Sequence, residues 1–160
     1  MTQELLAVEL SYEWKPFTVN GTHLTYSQHV SSRLEYSRCS HWGPAVYKWE
    51  GLISRGPNAG KTGILIGETG DLRQRIKQYI SGTQERGNKL WRESFLSLGE
   101  IKLFTLDLQQ FTVGDEHERT PVETSEMLSS NNVRLVLEQL LVMREVTRKD
   151  NCKWIVNARQ

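Results

Sequence analysis

Residues 43–49 read GPAVYKW and residues 63–79 read GILIGETGDLRQRIKQY. Ala45 to Trp49 is β-branched and aromatic, the composition of a strand. Ile64, Leu65 and Ile66 form a short apolar run closed by Gly67, which suits a buried strand. Between the two runs, residues 51–63 carry four glycines and Pro57. That composition is a loop, so the runs are expected to pair as a hairpin with a long connection. Thr69 then offers an N-cap oxygen, and Asp71 places negative charge in a first helical turn. Leu72, Ile76 and Ile80 recur at i, i+4, i+8, which predicts an amphipathic helix over 71–80. Arg75 and Tyr79 are one turn apart on that helix and share a face.

Working outward, residues 4–14 read as a strand or a short helix, and residues 29–39 as helical. A second helix is expected over about 87–98, with Leu90, Trp91, Phe95 and Leu98 as its apolar set. Glu100 to Leu108 is strand-like. Residues 109–128, with Gly114, Pro121 and many charges, read as a loop or excursion. Val133 to Arg148 is the strongest helix, with Ser129 or Ser130 as cap. Lys153 to Asn157 is a final extended segment. This order favours an α+β domain with a small sheet.

The chain has 160 residues, the length of one domain. With 38% hydrophobic and 24% charged residues, its composition is that of a globular protein. No apolar run approaches the ~18–20 residues that span a bilayer. An early acidic residue and the lack of a basic start argue against a secretory signal. Two cysteines, Cys39 and Cys152, make no disulfide framework. A reducing, cytoplasmic setting is therefore expected. The formal net charge is +1, yet Arg73, Arg75, Lys77, Arg86, Lys89 and Arg92 lie close in sequence. Asp115 to Glu126 is mostly acidic. A near-neutral total thus accommodates either one basic face or two solvated helix surfaces.

Three familiar signals fail on inspection. Gly56 to Thr62 reads GPNAGKT but has one residue too few for a phosphate-cradling Walker loop, and a strand rather than a helix follows it. No nucleotide cofactor is expected there. Lys61 remains available to touch a phosphate as a surface cation. Cys39, His41 and Cys152 lack the paired spacing of structural zinc. No nucleophile elbow is present.

What remains is Tyr47 on a strand with Arg75 and Tyr79 on the helix after it. In order and spacing the segment resembles the GIY-YIG nucleases. Ala45-Val46-Tyr47 stands for the first element and Leu65-Ile66-Gly67 for the second. Arg75 lies eight positions after Gly67, and Tyr79 four positions further. Glu138 and Asn157 match the family's late metal-binding glutamate and its terminal asparagine. The resemblance covers residues 43–157. It implies a small antiparallel three-stranded sheet flanked by helices, in the order ββααβα. It also implies a nuclease domain over 43–160, with residues 1–42 as an N-terminal extension available for DNA recognition. Leu65 departs from it by removing one phenol, and Glu68 by adding negative charge.

Glu138 also stands out without the resemblance. Its helix is apolar nearly all round, and a carboxylate in such a helix needs a cation, a metal or a hydrogen-bond partner. Arg134, four residues earlier, is one candidate. A hard cation such as Mg²⁺ or Mn²⁺ is the other, with water and phosphate oxygens completing its shell. The resemblance implies an endonuclease of restriction or stand-alone type, holding one divalent cation on Glu138 and hydrolysing DNA. Tyr47 would position or deprotonate the attacking water, Arg75 neutralise phosphoryl charge, Tyr79 hydrogen-bond the phosphate and Asn157 orient the site. Lys61, Arg73, Lys77, Arg86, Lys89 and Arg92 are the candidate DNA contacts. Duplex cleavage with one site per chain implies a homodimer or two sequential nicks. The alternative is a degenerate member that binds nucleic acid without cutting it.

Overall fold

In the computed structural model, residues 2–26, 39–81, 95–115, 117–122, 127–148 and 150–157 are described. The longest strand, β6 (Gly99–Gly114), is the spine of the sheet. Along one edge it pairs antiparallel with β1 (Ala7–Pro16), from Ala7↔Gly114 to Pro16↔Phe104. Its other edge pairs first with β4 (Ala45–Ile53) and then, beyond Leu108, with β7 (Arg119–Val122). The β4 strand forms the expected hairpin with β5 (Thr62–Thr69), in the register Tyr47↔Gly67 and Trp49↔Leu65. A last strand, β8 (Lys153–Ile155), lies parallel to β5. The result is a six-stranded mixed sheet of order β1-β6-β4-β5-β8, with β7 on β6. A small two-stranded ribbon, β2 (Thr18–Val19) with β3 (Thr22–His23), stands beside it. Two helices complete the named elements among the described residues, α1 (Leu72–Ser81) and α2 (Asn131–Thr147).

This corrects the expected three-stranded antiparallel sheet flanked by helices. The physical reason lies in residues 7–16. Val8, Leu10, Tyr12 and Trp14 alternate with polar residues, the period of a half-buried strand. Leu10, Tyr12 and Trp14 pack against the same core cluster as Leu106, Leu108 and Phe111. A bulge between Ser11 and Tyr12 lets β6 run on past Leu108. It absorbs the break in alternation at Gln109 and Gln110 and returns Phe111 to the face of Leu106 and Leu108. The expected excursion over 109–128 is thus in large part the continuation of β6 and its return as β7. Residues 7–16 also place part of the expected N-terminal extension inside the one sheet.

The two faces of the sheet bury different sets. One carries Tyr47, Trp49, Leu65, Ile101 and Leu103 against Leu72 and Ile76 of α1. The other carries Val46, Ile64, Ile66, Leu106 and Leu108 against Leu137 and Leu141 of α2. Asp71 rather than Thr69 caps α1, its Oδ1 accepting from Gln74 N at 3.0 Å. Ser130 caps α2, accepting from Val133 N at 3.4 Å. The α2 helix is not buried all round: Val136 is 50% and Met143 59% exposed. Its buried stripe is Arg134, Leu137, Leu141 and Glu145. Glu145 pairs with Lys153 of β8 at 3.1 Å, which ties the C-terminal turn of α2 to the outer strand. The helices expected over 29–39 and over most of 87–98 lie outside the described residues.

Candidate active site

The chemistry-bearing residues gather where β5 ends and α1 begins. Alternation along β5 puts Ile64 and Ile66 on the α2 face, and Glu68 follows them there. Arg134 of α2 reaches Glu68, with Nε 2.9 Å from Oε2. Its Nη1 donates to the carbonyls of Leu128 at 2.8 Å and Ser129 at 3.0 Å. The guanidinium is buried and its donors are directed at named acceptors, so it holds the Glu68 side chain in place. Arg134 therefore pairs with Glu68, not with Glu138 one turn along its own helix.

Glu138 is left half-buried, with no hydrogen bond or ion pair to another described residue. Burial pushes its carboxyl up to about 7, the negative charge of Glu68 adds to that rise, and Arg75 opposes it. Glu68 and Arg75 are thus both within electrostatic reach of Glu138, near the end of β5. The Nε of Arg75 is buried without a hydrogen-bond partner among the described residues. A strongly shifted carboxyl beside a second carboxylate, with two guanidinium groups around them, is a pattern that clusters at functional sites.

Tyr47 lies beside Gly67, one residue before Glu68. It is 3% exposed, on the α1 face of the sheet, and its ring lies over Gly67. A Cβ at Gly67 would meet the phenol oxygen and Cζ of Tyr47, so this position requires glycine for the ring to lie flat on the strand. Leu65 is 5% exposed in the same core cluster, where it packs with Tyr47 and Trp49. Asn157, after β8, accepts from Ile66 N through Oδ1 and donates to Ile66 O through Nδ2, both at 2.7 Å. It closes both backbone bonds of Ile66 two residues before Glu68.

The structure thus brings Arg75 within electrostatic reach of Glu138, attaches Asn157 to the strand that bears Glu68, and keeps Tyr47 buried on the α1 face of the sheet, opposite α2 and Glu138. Sequence reasoning missed the role of Glu68 and Arg134 as a buried pair. The available signal was the conjunction of two oppositely charged residues at otherwise apolar positions. Of the candidate DNA contacts, Arg73 lies with its guanidinium carbon 4.9 Å from the ring centre of Trp42. Lys61 donates to Asn58 Oδ1 at 3.3 Å within the hairpin loop. Tyr79 and Lys77 belong to α1, and their side chains are outside the described set, as are Arg86, Lys89 and Arg92 altogether. Cys39 and Cys152 are free, and Cys39 Sγ donates to the His41 carbonyl at 3.3 Å.

The donor set can be tested against a divalent cation. No group of three or more His, Cys, Asp or Glu gathers among the described residues as an all-protein cage would. Mg²⁺ needs only one or two carboxylates, with water and phosphate oxygens filling the rest. Glu138 supplies a half-buried carboxylate with no ion pair to another described residue, and Glu68 adds negative potential beside it. These residues fit such an ion. No described helix is long and apolar enough to cross a membrane. No protein-family model, curated protein or solved structure matches the chain.

Proposed function

We propose that this protein hydrolyses phosphodiester bonds in DNA with a divalent cation held at Glu138. The observation that carries the reading is the half-buried Glu138, without a hydrogen-bond or ion-pair partner among the described residues, with Glu68 and the buried, unpartnered Nε of Arg75 within electrostatic reach. The order of motif residues, which resembles that of the GIY-YIG nucleases, supports the same reading. A Mg²⁺ or Mn²⁺ ion held by Glu138 would supply charge neutralisation at the phosphoryl group. Glu138 must be deprotonated to hold it. Arg75 neutralises charge that develops on the phosphoryl group. Arg134 holds the Glu68 carboxylate in an ion pair and so offsets part of the negative charge that a phosphate approaching Glu138 would meet. Asn157 fixes the backbone of β5 beneath the site. Tyr47 acts by packing on Gly67 and shaping the end of the strand.

The burial of Tyr47 favours a second reading, a protein that binds nucleic acid through this site without cutting it. A nicking assay on supercoiled plasmid with Mg²⁺ or Mn²⁺ decides between them. Wild type is expected to nick, with Glu138→Ala and Arg75→Ala each reduced by about 10²-fold or more. Equal background from wild type and Glu138→Ala removes the hydrolase reading.

A further inference from the structure

A cavity of about 390 Å³ opens at the start of α1, lined by Trp42, Gly43, Gly70, Asp71 and Arg73. That volume is within the ~300–1,000 Å³ of small-molecule sites. One wall is a stacked pair, the Arg73 guanidinium carbon 4.9 Å from the Trp42 ring centre. The walls are tied together by Leu72 N, which donates to the Gly43 carbonyl at 3.1 Å. Asp71 is held by its cap to Gln74 N and by its own N–H, which donates to Thr69 Oγ1 at 3.1 Å. At Gly70 the nearest atom to an added Cβ is Arg134 Nη2, at 3.4 Å. The cavity therefore abuts the guanidinium that neutralises Glu68, next to the candidate active site.

We propose that this cavity receives one unstacked nucleobase of the strand whose phosphate lies at Arg75 and Glu138. The substrate is then single-stranded DNA, or duplex with a nucleotide turned out of the stack. The inference rests on the phosphodiester reading above. The chemistry of the walls selects a base over a phosphate. Asp71 balances Arg73, so the cavity has no net positive charge with which to hold an anion. The indole and guanidinium planes instead offer flat surfaces to a flat, neutral ring. Stacking on aromatic and arginine planes is how unpaired bases are held, and every base has such a face.

Gly43 provides a clean probe. Outside its chain neighbours a Cβ there meets nothing within 4 Å, so Gly43→Leu adds bulk at the cavity wall with no clash at its Cβ. The test measures binding of a labelled single-stranded oligonucleotide by fluorescence anisotropy, in EDTA so that no cleavage occurs. Gly43→Leu and Trp42→Ala are each expected to bind about tenfold more weakly than wild type. Both are expected to match wild type on the same strand made entirely abasic. Wild-type affinity of Gly43→Leu for the base-bearing strand overturns the proposal, as does an equal loss on the abasic strand. A thermal melt of each variant confirms that it is folded. Because the measurement needs neither metal nor turnover, its failure is distinct from a failure to nick plasmid.

Discussion

A carboxyl that ionises near neutrality makes Glu138 the residue through which pH acts on both stability and metal binding. Its folded pKa is raised from 4.5 to about 7, chiefly by burial. Between those values the folded chain keeps a proton that the unfolded chain has released. The stability associated with this group is therefore full below pH 4.5 and is lost as pH rises to about 7. Allowing for its solvent-facing part, the charged form costs about 1–2 kcal/mol at pH 8. Glu138→Gln should raise Tm at pH 8 and leave it unchanged at pH 4. Mg²⁺ should raise the Tm of wild type at pH 8 but not that of Glu138→Gln, and EDTA should reverse the gain. A wild-type Tm gap that is the same at both pH values would sink this account. Gly67 makes a second residue-scale case. Gly67→Ala forces the Tyr47 ring off the strand, at a cost of about 1–3 kcal/mol in urea melts.

At the scale of elements, α2 is joined to β5 by the Arg134–Glu68 pair as well as by the packing of Leu137 and Leu141. Removing Arg134 leaves a half-buried carboxylate uncompensated and the carbonyls of Leu128 and Ser129 without their donor. Arg134→Met is expected to cost about 3–5 kcal/mol, and Glu68→Gln in the same chain should recover part of it. Additive losses in the double variant would show that the pair is not the tie. Both helices, and the hairpin between Tyr47 and Gly67, were legible because their signals are local: a period, a cap, a glycine-rich connection. Glu68 was not legible, because its partner lies 66 residues away in the chain. The same holds for Asn157, whose link to Ile66 spans 91 residues. Glu138 could be picked out because an acid in the middle of a run of leucines and valines is anomalous within its own helix.

Over the whole molecule, the sheet is larger than its strongest segments suggest. Its breadth comes from β1, whose alternation is diluted by the adjacent Lys15 and Pro16, and from the far half of β6. A sequence reading that requires unbroken alternation stops at Leu108, because Gln109 and Gln110 interrupt it. The bulge that reconciles them depends on β1 lying alongside, which no local window reports. The candidate site was legible in its members more than in its arrangement. Strand parity puts the side chains of Tyr47 and Glu68 on opposite faces of the sheet, and parity becomes informative only once register is known.

The β8 strand has one more consequence. It is short, yet it occupies the outer edge of β5 from Thr62 to Ile64, and Asn157 continues that cover to Ile66. Without them β5 would present a row of free amides and carbonyls flanked by apolar side chains, which is a template for joining other chains edge to edge. The last described segment is thus a guard against self-association as well as a support for the site. A chain stopped after Asn151 should form large aggregates by light scattering at concentrations where the full chain does not. Asn157→Ala, which uncovers Ile66 alone, should fall between the two.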